Sequence, residues 1–239
     1  MQENNKTGAG LLGLFIFLGL AALGYFLSSA AIQYKLYDRS VTVKGLSEKE
    51  YKADIVIWPI TFSLADNSLT DLYHDVDLQS EMIFKYLNKN GISEEEITLV
   101  SPAITDKSAQ QYGSNNQAEF RYSALQTVTV YSANIDVVRH VMSSLSELGK
   151  HGIVFTGNNY QSQTEYLFTR LNEVKPEMIE EATTKAREVA KKFAEDSQSS
   201  LGKIKRASQG QFSIAARDKN NPHIKRVRVV STVEYYLSD

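Results

Sequence analysis

The stretch between Lys6 and Lys35 contains no charged residue, and the 25 residues from 8 to 32 within it are mostly apolar. As a helix, this segment would be about 37 Å long at roughly 1.5 Å per residue. The hydrocarbon core of a bilayer is about 30 Å thick, so the segment is long enough to span it with some tilt. A helix on a soluble domain would need a polar face, which this segment lacks. The sequence therefore predicts a short tail at 1–7, a membrane anchor at 8–32 and a link at 33–39.

A cleaved secretory signal is the alternative interpretation of the same segment. Signal peptides carry an apolar region of about 7–15 residues behind a basic start. Here the apolar core at 11–27 is longer, and the residues before it include one Lys and one Glu. However, Ser28-Ser29-Ala30 resembles a cleavage site, so secretion after cleavage near Ala30 stays open.

The charges that flank the anchor give a mixed indication of its orientation. Three basic residues, Lys35, Arg39 and Lys44, follow the anchor closely, and Lys6 precedes it. The positive-inside rule on that count favours a cytoplasmic C-terminal side. A large domain translocates largely regardless of charge, however. A short N-terminal tail before a large C-terminal domain is also the usual layout of a signal anchor. On that layout, and against the charge count, we expect a single-pass inner-membrane protein whose C-terminal domain is in the periplasm.

Composition narrows the classes of function for the roughly 200 residues after the anchor, a length sufficient for a core of useful size. The net charge of −2 gives no global indication of nucleic-acid binding. The chain has no cysteine, which excludes disulfides, thiolate metal sites and cysteine nucleophiles.

Hydrophobic periodicity predicts seven strands and three helices after the link, in the order β-β-α-β-β-α-β-α-β-β. Short connections between paired strands indicate an α+β fold, with a largely antiparallel sheet and helices packed on it. We expect one domain over 40–239. The predicted strands lie at 40–46, 52–64, 97–105, 120–133, 153–168, 202–216 and 224–237.

Local sequence features predict where the helices begin and end. Ser68 and Asn134 are suited to cap the first two helices, and Gly91 is suited to end the first. A charged turn is expected at 47–51, and the third helix is expected from about 172 to 200. Its predicted buried stripe consists of Ile179, Ala182, Ala186, Val189, Ala190 and Phe193.

Several short motifs in this order resemble the SIMPL-domain family, a family of bacterial envelope domains of unknown function. The resemblance extends over about 40–237 and implies an exported domain without an established enzyme activity. It also implies similarity to ring-like or channel-like homo-oligomers and to proteins linked to stress tolerance or signalling. No catalytic residue is carried over. The matching stretches are Val41-Thr42-Val43-Lys44-Gly45, Ala53-Asp54-Ile55-Val56, Gly91-Ile92, the alanines at 182, 186 and 190, and Leu201-Gly202-Lys203-Ile204.

The residues that usually carry chemistry form no recognised catalytic motif here. The four histidines, His74, His140, His151 and His223, lie in different predicted elements without metal-ligand spacing, so surface or helix-end positions are expected. The acidic run at 94–96 follows Ser93 and is typical of a capped helix start rather than a cation site. We therefore predict no enzyme activity, cofactor or metal.

Two groups of residues are candidates for intermolecular contacts. Gly24 and Ser28 in the anchor permit close helix packing. Tyr112 lies in a polar loop at 106–119 and Tyr122 just after it; tyrosine is suited to a subunit contact, with strand-face core positions as the alternative. A basic run near the C-terminus is a candidate surface for an anionic partner, with solvated strand edges as the alternative. Its residues are Arg206, Arg217, Lys225, Arg226 and Arg228.

These observations favour a membrane-anchored, exported, non-catalytic module that forms a homo-oligomer in the cell envelope. The anchor would contact membrane lipid through 8–32, and a second envelope protein is a candidate partner. Two rivals stay open. One is a stress or signalling adaptor that binds through the 106–119 loop, and the other is an envelope enzyme with an unrecognised site among carboxylates such as Asp54, Asp71 and Asp75.

Overall fold

The computed structural model describes residues 4–109, 119–156 and 163–238. It begins with a long helix, α1 (Asn4–Tyr37), and continues as a mixture of strands and helices. The strand pairs with a determined register are antiparallel, which confirms the predicted α+β class. The strands are β1 (Ser40–Lys52), β2 (Ile55–Asp66), β3 (Ile97–Leu99), β4 (Ala103–Asp106), β5 (Tyr122–Ser132), β6 (Glu165–Leu167), β7 (Ser200–Gln209), β8 (Ser213–Ala216) and β9 (Ile224–Ser238). The other α-helices are α2 (Leu69–Lys89), α3 (Ile135–Ser144), α4 (Ser146–Gly149) and α5 (Leu171–Asp196).

The strands form two sheets, and the chain divides into two compact units. One sheet has the order β1-β9-β7 with β8 also on β9, and the other has the order β3-β5-β2-β6 with β4 also on β5. Unit 1 comprises Met1–Glu48, Lys175–Phe212 and Arg228–Asp239, and unit 2 comprises Lys49–Val174 and Ser213–Val227. Strands β1 and β9 each begin in one unit and end in the other. The boundary therefore falls within strands, and no linker-like sequence marks it. The single domain expected over 40–239 stays a prediction.

Unit 2 is built on the long pairing of β2 with β5, which extends from Val56↔Ser132 to Asp66↔Tyr122. Alternate residues of β2 from Val56 to Phe62 are buried and form its inward face, and Leu64 packs at the margin. Helices α2 and α3 cover this face with residues at helical spacing. Their buried apolar members include Leu72, Val76, Ile83, Leu87, Val138 and Val141.

Unit 1 packs α5 against β1 and β9 through small side chains. The buried residues of α5 are Met178 and four alanines spaced four apart, from Ala182 to Ala194. Gly45 of β1 lies so close to the helix that a Cβ there would collide with the Ala182 carbonyl and lie 2.6 Å from the Ala186 nitrogen. The predicted stripe was wrong at Val189, which is 39% exposed, and at Phe193, which is 56% exposed. Both lie about 100° round the helix from the alanine row that faces the sheet. Ile179 is only partly buried, and its neighbour Met178 is buried instead.

The predicted helix caps are confirmed. The side chains of Ser68 and Asn134 accept hydrogen bonds from the backbone N–H groups of Asp71 and Val137. Ser93 forms a capping box with Glu96 at the start of a 3-10 turn. Gly91 has φ +90°, the left-handed conformation expected after α2.

Several predicted strand and helix boundaries were wrong. The expected turn at 47–51 is part of β1, because backbone pairing with β9 continues there although the side chains are charged. The predicted strand at 97–105 is divided into β3 and β4 around Pro102, and the one at 202–216 is divided into β7 and β8. Within 153–168, the described residues form β6 and one bridge at Phe155. The second helix ends at Ser144 rather than Leu148, with α4 following it.

Candidate functional site

The apolar part of α1, Leu12–Tyr34, is 23 residues long with a mean hydropathy of 2.0. None of it is buried against the rest of the chain, and large side chains such as Phe15 and Phe26 are 68% exposed. By length and composition it is sufficient to cross a membrane, as a membrane anchor or a signal sequence would. Gly24 and Ser28 lie one turn apart on the same side of this exposed helix, as predicted.

Two residues join α1 to β1, and both are held by hydrogen bonds to other segments of unit 1. The carboxylate of Asp38 accepts a hydrogen bond from Lys205 Nζ at 2.7 Å. The Arg39 carbonyl accepts one from the Leu237 N–H at 2.9 Å, and its guanidinium donates to Ser199 Oγ at 3.2 Å. The predicted link at 33–39 is thus helical as far as Tyr37, and the two residues after it are hydrogen-bonded to β7, β9 and the turn before β7.

A small polar cavity lies at the N-terminus of α3 in unit 2. Its volume is about 140 Å³, which exceeds the roughly 30 Å³ that one water molecule occupies. We call it the His223 cavity; its lining residues are Lys52, Ala53, Ala133, Asn134, Ile135, Asp136 and His223.

His223 is the most buried polar group of this cavity, with 8% of its surface exposed. Its backbone carbonyl accepts a hydrogen bond from the Ala53 N–H, which fixes the residue, while its Nδ1 is buried without a hydrogen-bond partner. Burial lowers the pKa of the imidazole, and the nearby cations Arg139, Arg217 and Lys52 lower it further against an opposing effect of Asp136. The imidazole is therefore held in its neutral form more strongly than a free histidine.

Residues 41–234 match the model of one protein family, SIMPL, described as a protein of unknown function (DUF541). The chain belongs to the SIMPL family. The match begins in β1 and ends in β9, which confirms the resemblance inferred from the short motifs. None of the curated proteins compared with the chain matches it.

The contacts of Asp54 within the SIMPL domain indicate a structural role for this residue. Its carboxylate accepts hydrogen bonds from the Thr169 N–H at 2.9 Å and from Thr169 Oγ1 at 2.7 Å, and Arg170 Nε lies 3.4 Å away. Burial raises the pKa of this carboxyl, but the bonds from Thr169 outweigh that effect and the net shift is downward. Asp54 thus links the start of β2 to the residues that precede α5. Its carboxylate oxygens are engaged by these structural contacts.

The five basic residues predicted as an anionic-partner surface occur in both units of the SIMPL domain, and acids accompany several of them. Arg217 lies 2.8 Å from Asp218 and 3.7 Å from Glu50, and Arg228 lies 3.9 Å from Glu48. Among the other three, Arg206 is opposite Glu234 in the pairing of β7 with β9, Lys225 is attracted by Glu165, and Arg226 donates to the Arg217 carbonyl at 3.5 Å. The charge at these positions is mixed, and binding of an anionic partner stays a prediction.

Tyr122 packs at the margin of a small cluster with Leu72 and Val76, and the Arg121 guanidinium lies 4.8 Å above its ring. Arg121 also binds both carboxylate oxygens of Asp106, which holds the pKa of that carboxyl far below its usual range. Tyr112 and most of the 106–119 loop lie outside the described residues. A role of these tyrosines in subunit contacts stays a prediction.

A second depression of about 360 Å³ lies between α2 and β3 in unit 2. Its lining is mixed and includes three acidic side chains, Asp77, Glu81 and Glu94, and Lys85 lies 2.7 Å from Glu81. In the part of the chain that the structure describes, no group of three or more metal-ligating side chains is placed to hold a metal ion.

The buried position of His223 was not predicted from the sequence. A surface or helix-end position was expected for all four histidines, and this is confirmed for His74, His140 and His151, which are exposed. At His223 the expectation was wrong, because the backbone bond to Ala53 draws the residue inward from the 217–223 turn. The one local indication is the uncharged stretch Asn221-Pro222-His223-Ile224 between basic residues.

Proposed function

We propose that this protein is a membrane-anchored SIMPL domain that acts as a non-catalytic, homo-oligomeric assembly module of the cell envelope. The observation that carries the proposal is the junction between α1 and β1. A helix apolar enough to span a membrane is followed by only two residues before β1, Asp38 and Arg39, and these are hydrogen-bonded to β7 and β9 respectively. Every copy that retains α1 would hold the sheet of β1, β9 and β7 close to the bilayer surface.

The length and continuity of α1 support retention of the anchor rather than cleavage. Signal peptides use an apolar region of about 7–15 residues, whereas the apolar part of α1 has 23. The helix also passes through Ser28-Ser29-Ala30 without a break and ends at Tyr37. We propose a periplasmic C-terminal domain because the resemblance to bacterial envelope domains implies export, and a large domain translocates largely regardless of flanking charge.

Exposed apolar side chains of unit 1 support self-assembly. Phe193 and Val189 lie one helical turn apart on α5, and Ile204 on β7 is 57% exposed. Large apolar groups of this kind are suited to an interface with a second copy. Copies tethered in one membrane meet at a high effective concentration, so even a modest patch produces association.

The native mass of the full chain in detergent tests the assembly. We expect a defined oligomer at micromolar concentration, measured by light scattering with detergent correction. A strict monomer at every accessible concentration would overturn the proposal.

Disulfide cross-linking tests whether the anchors pack together. Because the chain has no cysteine, the single variants Gly24→Cys and Ser28→Cys report one position each. We expect cross-linked dimers of these two variants in membranes, and much less cross-linking of Phe26→Cys, which lies on the other side of the helix. Equal yields at the three positions would indicate random collision.

Protease added to spheroplasts tests the topology. A periplasmic domain is digested without lysis, and a cleaved signal would instead release a shorter soluble protein. Protection of the C-terminal domain until the inner membrane is opened would overturn the assignment.

A further inference from the structure

The His223 cavity combines the N-terminus of a helix with a buried histidine whose Nδ1 has no hydrogen-bond partner. Helix α3 has ten residues, and the first four N–H groups of a helix lack partners within it. The Asn134 side chain takes the N–H of Val137. The Asn134 N–H donates to Ser132 Oγ at 2.9 Å. The N–H groups of Ile135 and Asp136 and the positive end of the helix dipole are suited to bind an anion.

The charges round the cavity also favour an anion. Three cations act on His223, namely Lys52 from β1, Arg139 from α3 and Arg217 from the segment after β8. Asp136 opposes these cations, and Lys52 Nζ lies 3.8 Å from its Oδ2. The Tyr166 ring of β6 lies 6.0 Å from the imidazole and adds no charge at neutral pH.

From this arrangement we propose that the His223 cavity binds a small oxyanion, a carboxylate or a phosphate group. The anion lies against the first turn of α3, Lys52 contributes charge at the opening, and His223 contributes a hydrogen bond from inside. A cavity of about 140 Å³ accommodates one such group and excludes a large ligand. This site goes beyond the assembly function, and its test does not depend on the oligomeric state.

Proton binding is coupled to the anion in this arrangement. An anion beside the imidazole favours its protonated form, so binding raises the pKa of His223 from its lowered value. By linkage, anion affinity increases as the pH falls through that range. A cavity that holds only water produces no such coupling.

Imidazole NMR of the full chain in detergent micelles measures this coupling directly. His223 is titrated from pH 8 to pH 5 in chloride, in inorganic phosphate and in acetate at equal ionic strength. His223→Gln identifies its resonance, and the exposed His74, His140 and His151 serve as internal controls. We expect the titration midpoint of His223 to rise in phosphate or acetate while the other three stay in place. The anion that produces the larger rise identifies the ligand class.

Two substitutions at the cavity are expected to change its anion affinity in opposite directions. Lys52→Gln is expected to weaken anion binding about two- to fivefold, since the side chain is solvent-exposed. Asp136→Asn removes the opposing charge and is expected to strengthen binding by a similar factor. Lys85→Gln is the matched control, because Lys85 forms an exposed pair with Glu81 outside the cavity.

The proposal is overturned if the midpoint of His223 is the same in the three salts. It is also overturned if the titration midpoints of all four histidines shift together, because a common shift indicates a general salt effect. A change of anion affinity in the same direction for Lys52→Gln and Asp136→Asn would overturn it as well. These variants keep the test decisive even if His223→Gln fails to fold.

Discussion

In unit 2, large side chains fill the space between the sheet and the helices; Phe62 of β2 and Ile83 and Leu87 of α2 are fully buried. In unit 1, by contrast, α5 covers the sheet mainly with alanines. Burial of a Phe or Leu side chain contributes about 1.5–3 kcal/mol, and an alanine contributes much less. Unit 1 is instead stabilised by the close approach of the β1 and α5 backbones at Gly45, which allows many dispersion contacts between them. The two units should therefore be destabilised by opposite changes. Unit 2 should lose stability when buried side chains become smaller, and unit 1 should lose stability when they become larger.

The largest effect is expected from Phe62→Ala in unit 2. The removed ring leaves a cavity beneath α2 and α3, and such truncations cost about 3–5 kcal/mol. Urea unfolding followed by the fluorescence of Trp58, the single tryptophan, measures the loss. Tyr131→Ala, at a position 52% exposed on β5, is the control and should change the free energy of unfolding by less than about 0.5 kcal/mol. Similar effects of the two variants would contradict the proposed role of the core.

Gly45→Val is expected to be the most damaging small-to-large change in unit 1. Its side chain would collide with the backbone of α5, which has no rotamer that could relieve the clash, so we expect a cost of about 3 kcal/mol. Circular dichroism at 222 nm during urea unfolding measures it. Lys44→Val, at the exposed neighbouring position, controls for strand propensity and should be nearly neutral. A wild-type midpoint for Gly45→Val would show that β1 and α5 are farther apart than described.

Asp54→Asn tests a polar restraint of unit 2, with an expected cost of about 1–2 kcal/mol at neutral pH. The pKa of Asp54 is lowered in the folded state, so its contribution is present above the ordinary value of 3.8 and is lost as the pH falls through the folded-state value. The difference between wild type and variant should therefore narrow in acid. Unfolding free energies at several pH values from 7 to 3 measure this, with the exposed Asp77→Asn as the control. A difference that is constant with pH would exclude a role for the carboxylate charge.

His223→Gln should alter the pH dependence of stability in a higher range. The pKa of His223 is lowered from 6.5, so the unfolded chain binds this proton more readily. Wild type should therefore lose stability as the pH falls below 6.5, by at most about 1.4 kcal/mol per pH unit. The variant should lack this loss, and His140→Gln should retain it. Thermal melts between pH 8 and pH 5 in chloride make the comparison.

The contrast between the units also explains which features could be predicted from the sequence. The alternation of Val56, Trp58, Ile60 and Phe62 identified a buried strand face, and Ser68 and Asn134 identified helix starts, because these depend on neighbouring residues. The exposure of Phe193 could not be predicted, because it depends on the approach of α5 to Gly45, more than a hundred residues away. His223 was missed for the same reason, since its burial depends on the Ala53 N–H.

The smallest effect on stability, and the most specific one for function, is expected from Phe193→Ser. Phe193 is 56% exposed, so its removal should change the free energy of unfolding by no more than about 0.5 kcal/mol. If Phe193 lies at a contact between copies, the same change should shift the native mass in detergent toward the monomer. Leu99→Ser, at a position 48% exposed in unit 2, is the matched control and should leave the mass unchanged. A stable Phe193→Ser variant with the mass of the wild type would remove α5 from the interface, while an oligomer held by α1 would still be detected by the cross-links at Gly24 and Ser28.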